Sequence, residues 1–120
     1  MRPEQRDAAY LWDMLDAALA VREFTSGLSF ENYLVDRKLQ FAVERALEII
    51  GEAAHRISEP FRQAHPEVRW RSIIAQRNVL AHEYGAIKQD RIWNVVTVHL
   101  PELIEALQRS LPPAPADPEA

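Results

Sequence analysis

Apolar residues return at every third or fourth position through most of the chain, the spacing of helices packed by one face. Over residues 4–24 the stripe is Ala8, Leu11, Trp12, Leu15, Ala18 and Leu19. Thr25-Ser26-Gly27 breaks it, and Ser29 is placed to cap a second helix that the pattern carries to about Ile57. Leu39, Ala42, Val43, Ala46, Leu47, Ile50, Ala53 and Ile57 form one long stripe there, flanked by Glu44, Arg45, Glu48, Glu52 and Arg56. A helix of that length predicts the spine of a bundle. Ser58-Glu59-Pro60 marks a boundary, Phe61-Arg62 a short linking turn of helix, and Pro66 the opening of the next helix. Trp70, Ile73, Ile74, Ala81 and Tyr84 fall on one face of that helix. Asp90 is placed to cap a final helix with Ile92, Val95, Val96, Leu100, Leu103, Ile104 and Leu107 inward, kinked near Thr97 by Pro101. The pattern predicts an all-α fold over residues 1–111: an up-and-down bundle of four main helices plus a short linking helix. Residues 112–120, PPAPADPEA, carry no core residue and read as a disordered tail.

Two positions depart from this pattern. Gly51 lies inside the spine helix, where it costs about 1 kcal/mol relative to alanine, and it predicts close approach of another helix backbone. Arg77 sits in the middle of the apolar stripe of the 69–85 segment, RWRSIIAQRNVLAHEYG. Burying an arginine there is costly unless its guanidinium is paired or reaches a wet cleft. Asn78 and His82 are four apart and stack on a neighbouring face. Arg77, Asn78, His82 and Tyr84 thus gather near one helix end, just before Gly85 can close it. Glu52, beside Gly51, either reaches Arg77 or faces solvent. Each residue also has a plainer reading. Arg77 can anchor a buried ion pair, Asn78 a cap or inter-helix bond, His82 can serve the helix dipole, and Tyr84 can be a core tyrosine.

Composition narrows the function classes. There is no cysteine, so neither a disulfide framework nor a thiolate metal site is expected. His55 and His65 read as surface histidines and His99 as a structural one, and none has a second ligand at metal-binding spacing, so no metal is expected. The first residues contain no uninterrupted apolar run, which predicts neither a signal peptide nor a membrane span, and a cytoplasmic location is expected. A formal net charge of −4 argues against a general nucleic-acid coat protein. Between Arg69 and Arg91, however, five basic residues face two acidic ones, a local +3 that leaves −7 for the remainder. A small basic neighbourhood on an acidic body suits a nuclease that touches few phosphates, or a protein whose acidic faces meet another protein.

Arg77-Asn78, then His82 and Tyr84, form an R-N-x-x-x-H-x-Y pattern. With LEIIGEAAHRIS before it and IW…LP.L after it, the chain resembles the HEPN superfamily, and within it the HepT-like toxins, over roughly residues 8–111. The resemblance implies a metal-independent endoribonuclease toxin with no cofactor, with Arg77 and His82 catalytic and Asn78 and Glu52 supporting. It also implies a partner: a minimal nucleotidyltransferase antitoxin of the MNT type that adenylylates the motif tyrosine, here Tyr84.

The residue types fit RNA cleavage. A 2′-hydroxyl attacks the adjacent phosphate, a histidine moves the proton, and an arginine stabilises charge on the phosphorane-like oxygens. The products are a 2′,3′-cyclic phosphate and a 5′-hydroxyl. Helix geometry adds a constraint, because positions five apart are separated by about 140° and about 7.5 Å of rise. Either the helix loosens before His82 or a second subunit supplies half the site. The resemblance implies the latter, a symmetric homodimer with both motifs on one cleft, able to join a larger hetero-oligomer with the antitoxin. A different class, a non-catalytic helical adaptor that binds a nucleotidyltransferase or a nucleotide through the same cleft, uses the same arginine.

Overall fold

The structure, a computed structural model, describes residues 3–111, so the 112–120 tail lies outside the described residues. The chain is all-α, a helical bundle without strands among the described residues. Helix α1 (Pro3–Thr25) and the spine α3 (Arg37–Arg56) pack along each other. Helix α5 (Trp70–His82) lies on the other side of the spine, and α7 (Leu100–Ser110) closes against α1. The short α2 (Phe30–Leu34) and α4 (Glu59–Ala64) join the long elements, and α6 (Gly85–Asn94) runs from the end of α5 towards α7. The expected spine stripe is realised, with Leu39, Val43, Ala46, Leu47, Ile50 and Ala53 buried against Leu11, Met14, Ala18 and Val21 of α1. No helix among the described residues is long and apolar enough to cross a membrane.

The second helix is not continuous from Ser29 to Ile57; it breaks at Val35-Asp36. Two caps make the break. Ser29 and Asn32 form a reciprocal capping box at the start of α2, and the Asp36 carboxylate accepts from Leu39 N at 3.0 Å to begin α3. Gln40 Nε2 then donates to the carbonyls of Tyr33 and Leu34, at 3.0 and 2.9 Å, satisfying the end of α2. Competing local hydrogen bonds outweigh a hydrophobic period that runs straight through.

Three further boundaries differ from the pattern. Helix α5 begins at Trp70 rather than at Pro66; Trp70 Nε1 donates to His65 O at 3.0 Å and pins the incoming turn. Gly85 does not close the motif helix but opens α6 at φ +63, so Asp90 lies inside a helix instead of capping one. The kink foreseen from Pro101 takes the form of a π-helical turn, Val95–His99, in which Leu100 N donates to Val95 O. Proline lacks the N–H that would reach Thr97 O, and the widened turn absorbs its ring. Ser58 caps α4 at the expected boundary, and the buried Asp7 of α1 holds it, accepting from Ser58 N at 2.8 Å and from its hydroxyl at 2.5 Å.

Helix α6 is fixed by polar contacts that periodicity does not reveal. Tyr33, fully buried and stacked on Trp93 at 5.1 Å, donates its hydroxyl to Gln89 Oε1 at 2.5 Å. Lys88 pairs with Glu44 of the spine at 2.5 Å, both side chains largely covered. Burial, and secondarily the charge of Glu44, raises the Tyr33 hydroxyl well above the usual phenol range. An acid raised on folding favours the native state below its unfolded value of 10.0, and that contribution is lost as pH rises further. Tyr33→Phe is therefore expected to cost about 1–3 kcal/mol at neutral pH by orphaning the Gln89 acceptor. Denaturant titrations above pH 10 should show the parent losing stability faster than the variant.

Candidate functional site

Only Trp70 of α5 is buried; Ile73, Ile74 and Leu80 pack partly against the core, and the second half of the helix rides on the surface. What brings it close to the spine is Gly51. A Cβ there would meet Arg77 Cγ at 3.3 Å and Ile73 O at 3.5 Å. The backbone of α5 thus passes directly over the glycine, the close approach expected of it. Arg77 lies between Ile73 and Leu80 on the face turned to the spine, its stem across Gly51 and its head reaching outward. Its Nη2 stands 3.7 Å from Glu52 Oε2, while Arg56 Nη2 donates to Glu52 Oε1 at 3.2 Å. The Arg77 side chain is 50 % exposed, so the stripe position does not bury the charge. Of the two readings of Glu52, the contact with Arg77 is the one observed.

The other motif residues are presented to solvent. Asn78 and His82 are exposed on α5, and neither side chain has a hydrogen bond or ion pair among the described residues. His82 ends the helix, where the dipole favours a positive charge. Tyr84 is not on the α5 stripe. It lies past the helix end at the N-cap position of α6, 78 % exposed. Glu83, the C-cap of α5, pairs with Arg91 at 3.0 Å and fixes this corner. Sequence reasoning missed that pair, because two charges eight positions apart meet only once the chain turns at Gly85. The structure therefore joins Arg77 to Glu52 and sets Asn78 and His82 on one exposed face. It does not bring Arg77 and His82 of one chain together.

A groove of about 970 Å³ runs beside Arg77 between α1, the spine and α5. Asp13, Glu44, Glu48 and Glu52 outnumber Arg45, Arg56 and Arg77 along it. Most of these charges are paired, Glu48 with Arg45, Glu52 with Arg56 and Arg77, and Glu44 with Lys88. No group of three or more His, Asp or Glu able to hold a metal is present among the described residues.

Substitutions at Gly51 test the seat of Arg77. Gly51→Ala should leave stability within about 1 kcal/mol, because helix propensity offsets a displaced, flexible arginine stem. Gly51→Leu must push the α5 backbone away and should cost about 1–3 kcal/mol in chemical denaturation.

The family profile described as ribonuclease HepT-like matches residues 14–110. Among curated proteins, the chain is 43 % identical over 94 residues to a probable ribonuclease HepT of Thermococcus cleftensis, covering 78 % of this chain and 86 % of that one. It is 37 % identical over 95 residues to a putative RNase of Methanocaldococcus jannaschii, covering 79 % and 87 %. A putative RNase of Caldanaerobacter subterraneus is 35 % identical over 102 residues, covering 85 % and 91 %. No solved structure matches. Sequence pattern, helical bundle and surface motif agree with these likenesses, and the chain belongs to the HepT-like ribonuclease family.

Proposed function

We propose that the protein is a metal-independent endoribonuclease whose working groups are Arg77 and His82. The observation that carries this reading is the motif's placement: an arginine seated by Gly51 and Glu52, and a histidine on the exposed end of the same helix, in a chain of a ribonuclease family. The 2′-oxygen bonds to phosphorus while the bond from phosphorus to the 5′-oxygen breaks. One proton leaves the 2′-hydroxyl and one reaches the departing oxygen, giving a 2′,3′-cyclic phosphate and a 5′-hydroxyl. His82 serves proton transfer, Arg77 neutralises the phosphorane-like oxygens, Asn78 orients a partner group, and Glu52 holds the guanidinium in place. The Glu52–Arg77 pair is half exposed and worth at most about 1 kcal/mol, so its value lies in orientation rather than stability.

Because the two residues leave α5 about 140° apart, the reading includes a homodimer in which two motifs share one cleft. It also includes control by a minimal nucleotidyltransferase antitoxin acting on Tyr84. The phenol oxygen would bond to the α-phosphorus of a nucleoside triphosphate, pyrophosphate would leave, and the phenolic proton would pass to a base. The 78 % exposure of Tyr84 supports this, since the ring has no packing role to give up and a donor can reach it. An anionic adduct two residues from His82 would repel RNA phosphates. A toxin silenced in this way is the biological role the arrangement suits.

His82→Ala and Arg77→Ala should each lower cleavage of single-stranded RNA in EDTA by about 100-fold or more. Circular dichroism and melting should stay close to the parent, because exposed sites change stability by about 0.5 kcal/mol. Undiminished cleavage by folded His82→Ala protein would end the assignment and leave a helical adaptor. Sedimentation at micromolar concentration should give a dimer, whereas a fully active monomer refutes the shared cleft. Tyr84→Phe should keep at least part of the nuclease activity yet escape neutralisation in growth assays with the co-expressed transferase. Equal neutralisation, with no AMP mass on the parent, removes Tyr84 from the control.

A further inference from the structure

The exposed face of α5 extends beyond the motif. On a helical wheel Asn78 and His82 each fall within about 20° of Arg71, and Arg71, Ala75, Asn78 and His82 are all exposed. The stripe is about 16 Å long at 1.5 Å per residue. At its far end a second groove of about 680 Å³ opens between α4 and α5, lined by Arg62, Arg69, Arg71 and Ala75, with Glu59 as its acidic member. Three arginines against one glutamate contrast with the acid-rich groove on the other side of α5.

The cations in this groove are not equally committed. Arg69 pairs with Glu102 at 4.0 Å. Arg62 and Arg71 make no ion pair among the described residues, and Arg62 Nε is buried without a hydrogen-bond partner. The geometry points to Arg62 and Arg71 as an RNA phosphate subsite, gripping the backbone upstream or downstream of the bond cut at His82. This inference rests on the ribonuclease reading and extends it. RNA runs along the solvent face of α5 from this subsite towards His82. The span from subsite to His82 holds no more than about five nucleotides at the ~3.4 Å rise of a stacked strand.

Fluorescence anisotropy with a non-cleavable 2′-O-methyl RNA oligomer, titrated over salt, tests the subsite. Each lost phosphate contact on a single strand lowers the slope of log affinity against log salt by about 0.7. The Arg62→Gln/Arg71→Gln double variant should therefore lose about 1.4 of slope, and Arg71→Gln alone about 0.7. The single variant alters only an exposed side chain, so it keeps the test valid if loss of Arg62 disturbs folding. Parental affinity and slope in both variants would overturn the inference, as would a parent that binds no RNA. So would variants that keep RNA binding and lose binding to a transferase partner, which would mark a protein-docking face. A parent that cleaves RNA while its variants keep the slope defeats the subsite alone. Expected slopes with no cleavage by the parent defeat the nuclease reading alone.

Discussion

The close passage of α5 over Gly51 is the constraint on which the site depends. Helix α5 buries only Trp70 fully, so little apolar surface fixes its second half. A methyl at position 51 would press on the Arg77 stem at 3.3 Å, and a larger side chain would push the α5 backbone off the spine. With the glycine there, the arginine lies flat across α3 and its head arrives beside Glu52. The glycine's cost in helix propensity is offset by a fixed starting point for a long, flexible cation. The polar fastening of α6 by Tyr33–Gln89 and Lys88–Glu44 steadies the element that follows the motif, and Glu83–Arg91 ties the corner between them.

This arrangement gives α5 two polar faces. One leans on the spine and carries Arg77; the other faces solvent and carries Asn78 and His82 in line with Arg71. Arg77 and His82 leave α5 about 140° apart, so the proposed reaction takes one of them from each of two chains. The proposed second copy answers that offset, and the charge distribution adds a direction. On the Arg77 side carboxylates and arginines nearly balance, whereas the arginines at the far end of the solvent face leave a net positive lining.

Much of this is legible in the sequence. The apolar stripes of α1, α3 and α7 are long and regular, and their burial follows from the 3.6-residue period. Gly51 and Arg77 stood out because each violates that period, and the structure places them in contact. The break at Val35-Asp36 was not legible from apolar spacing, since it depends on Asp36 and Gln40 capping two helices at once. Gly85 was misread because a glycine at positive φ usually follows a helix end, whereas here it opens α6, with Glu83 and Arg91 paired across the corner. Tyr84 was drawn onto the apolar stripe by extending a helix two residues too far. The division of the motif between two faces of α5 was legible from helical period alone, whereas the contact of Arg77 with Glu52 needed the fold.

The account stands on a 2′-hydroxyl as nucleophile, delivered to Arg77 and His82 without a metal. A strand with one ribonucleotide among deoxynucleotides, incubated with the protein in EDTA, probes that directly when product ends are read by mass spectrometry. The account predicts a single cut on the 3′ side of the ribonucleotide, leaving a 2′,3′-cyclic phosphate and a 5′-hydroxyl, absent with His82→Ala. Cleavage at deoxynucleotide positions, or ends bearing a 3′-hydroxyl and a 5′-phosphate, would contradict it.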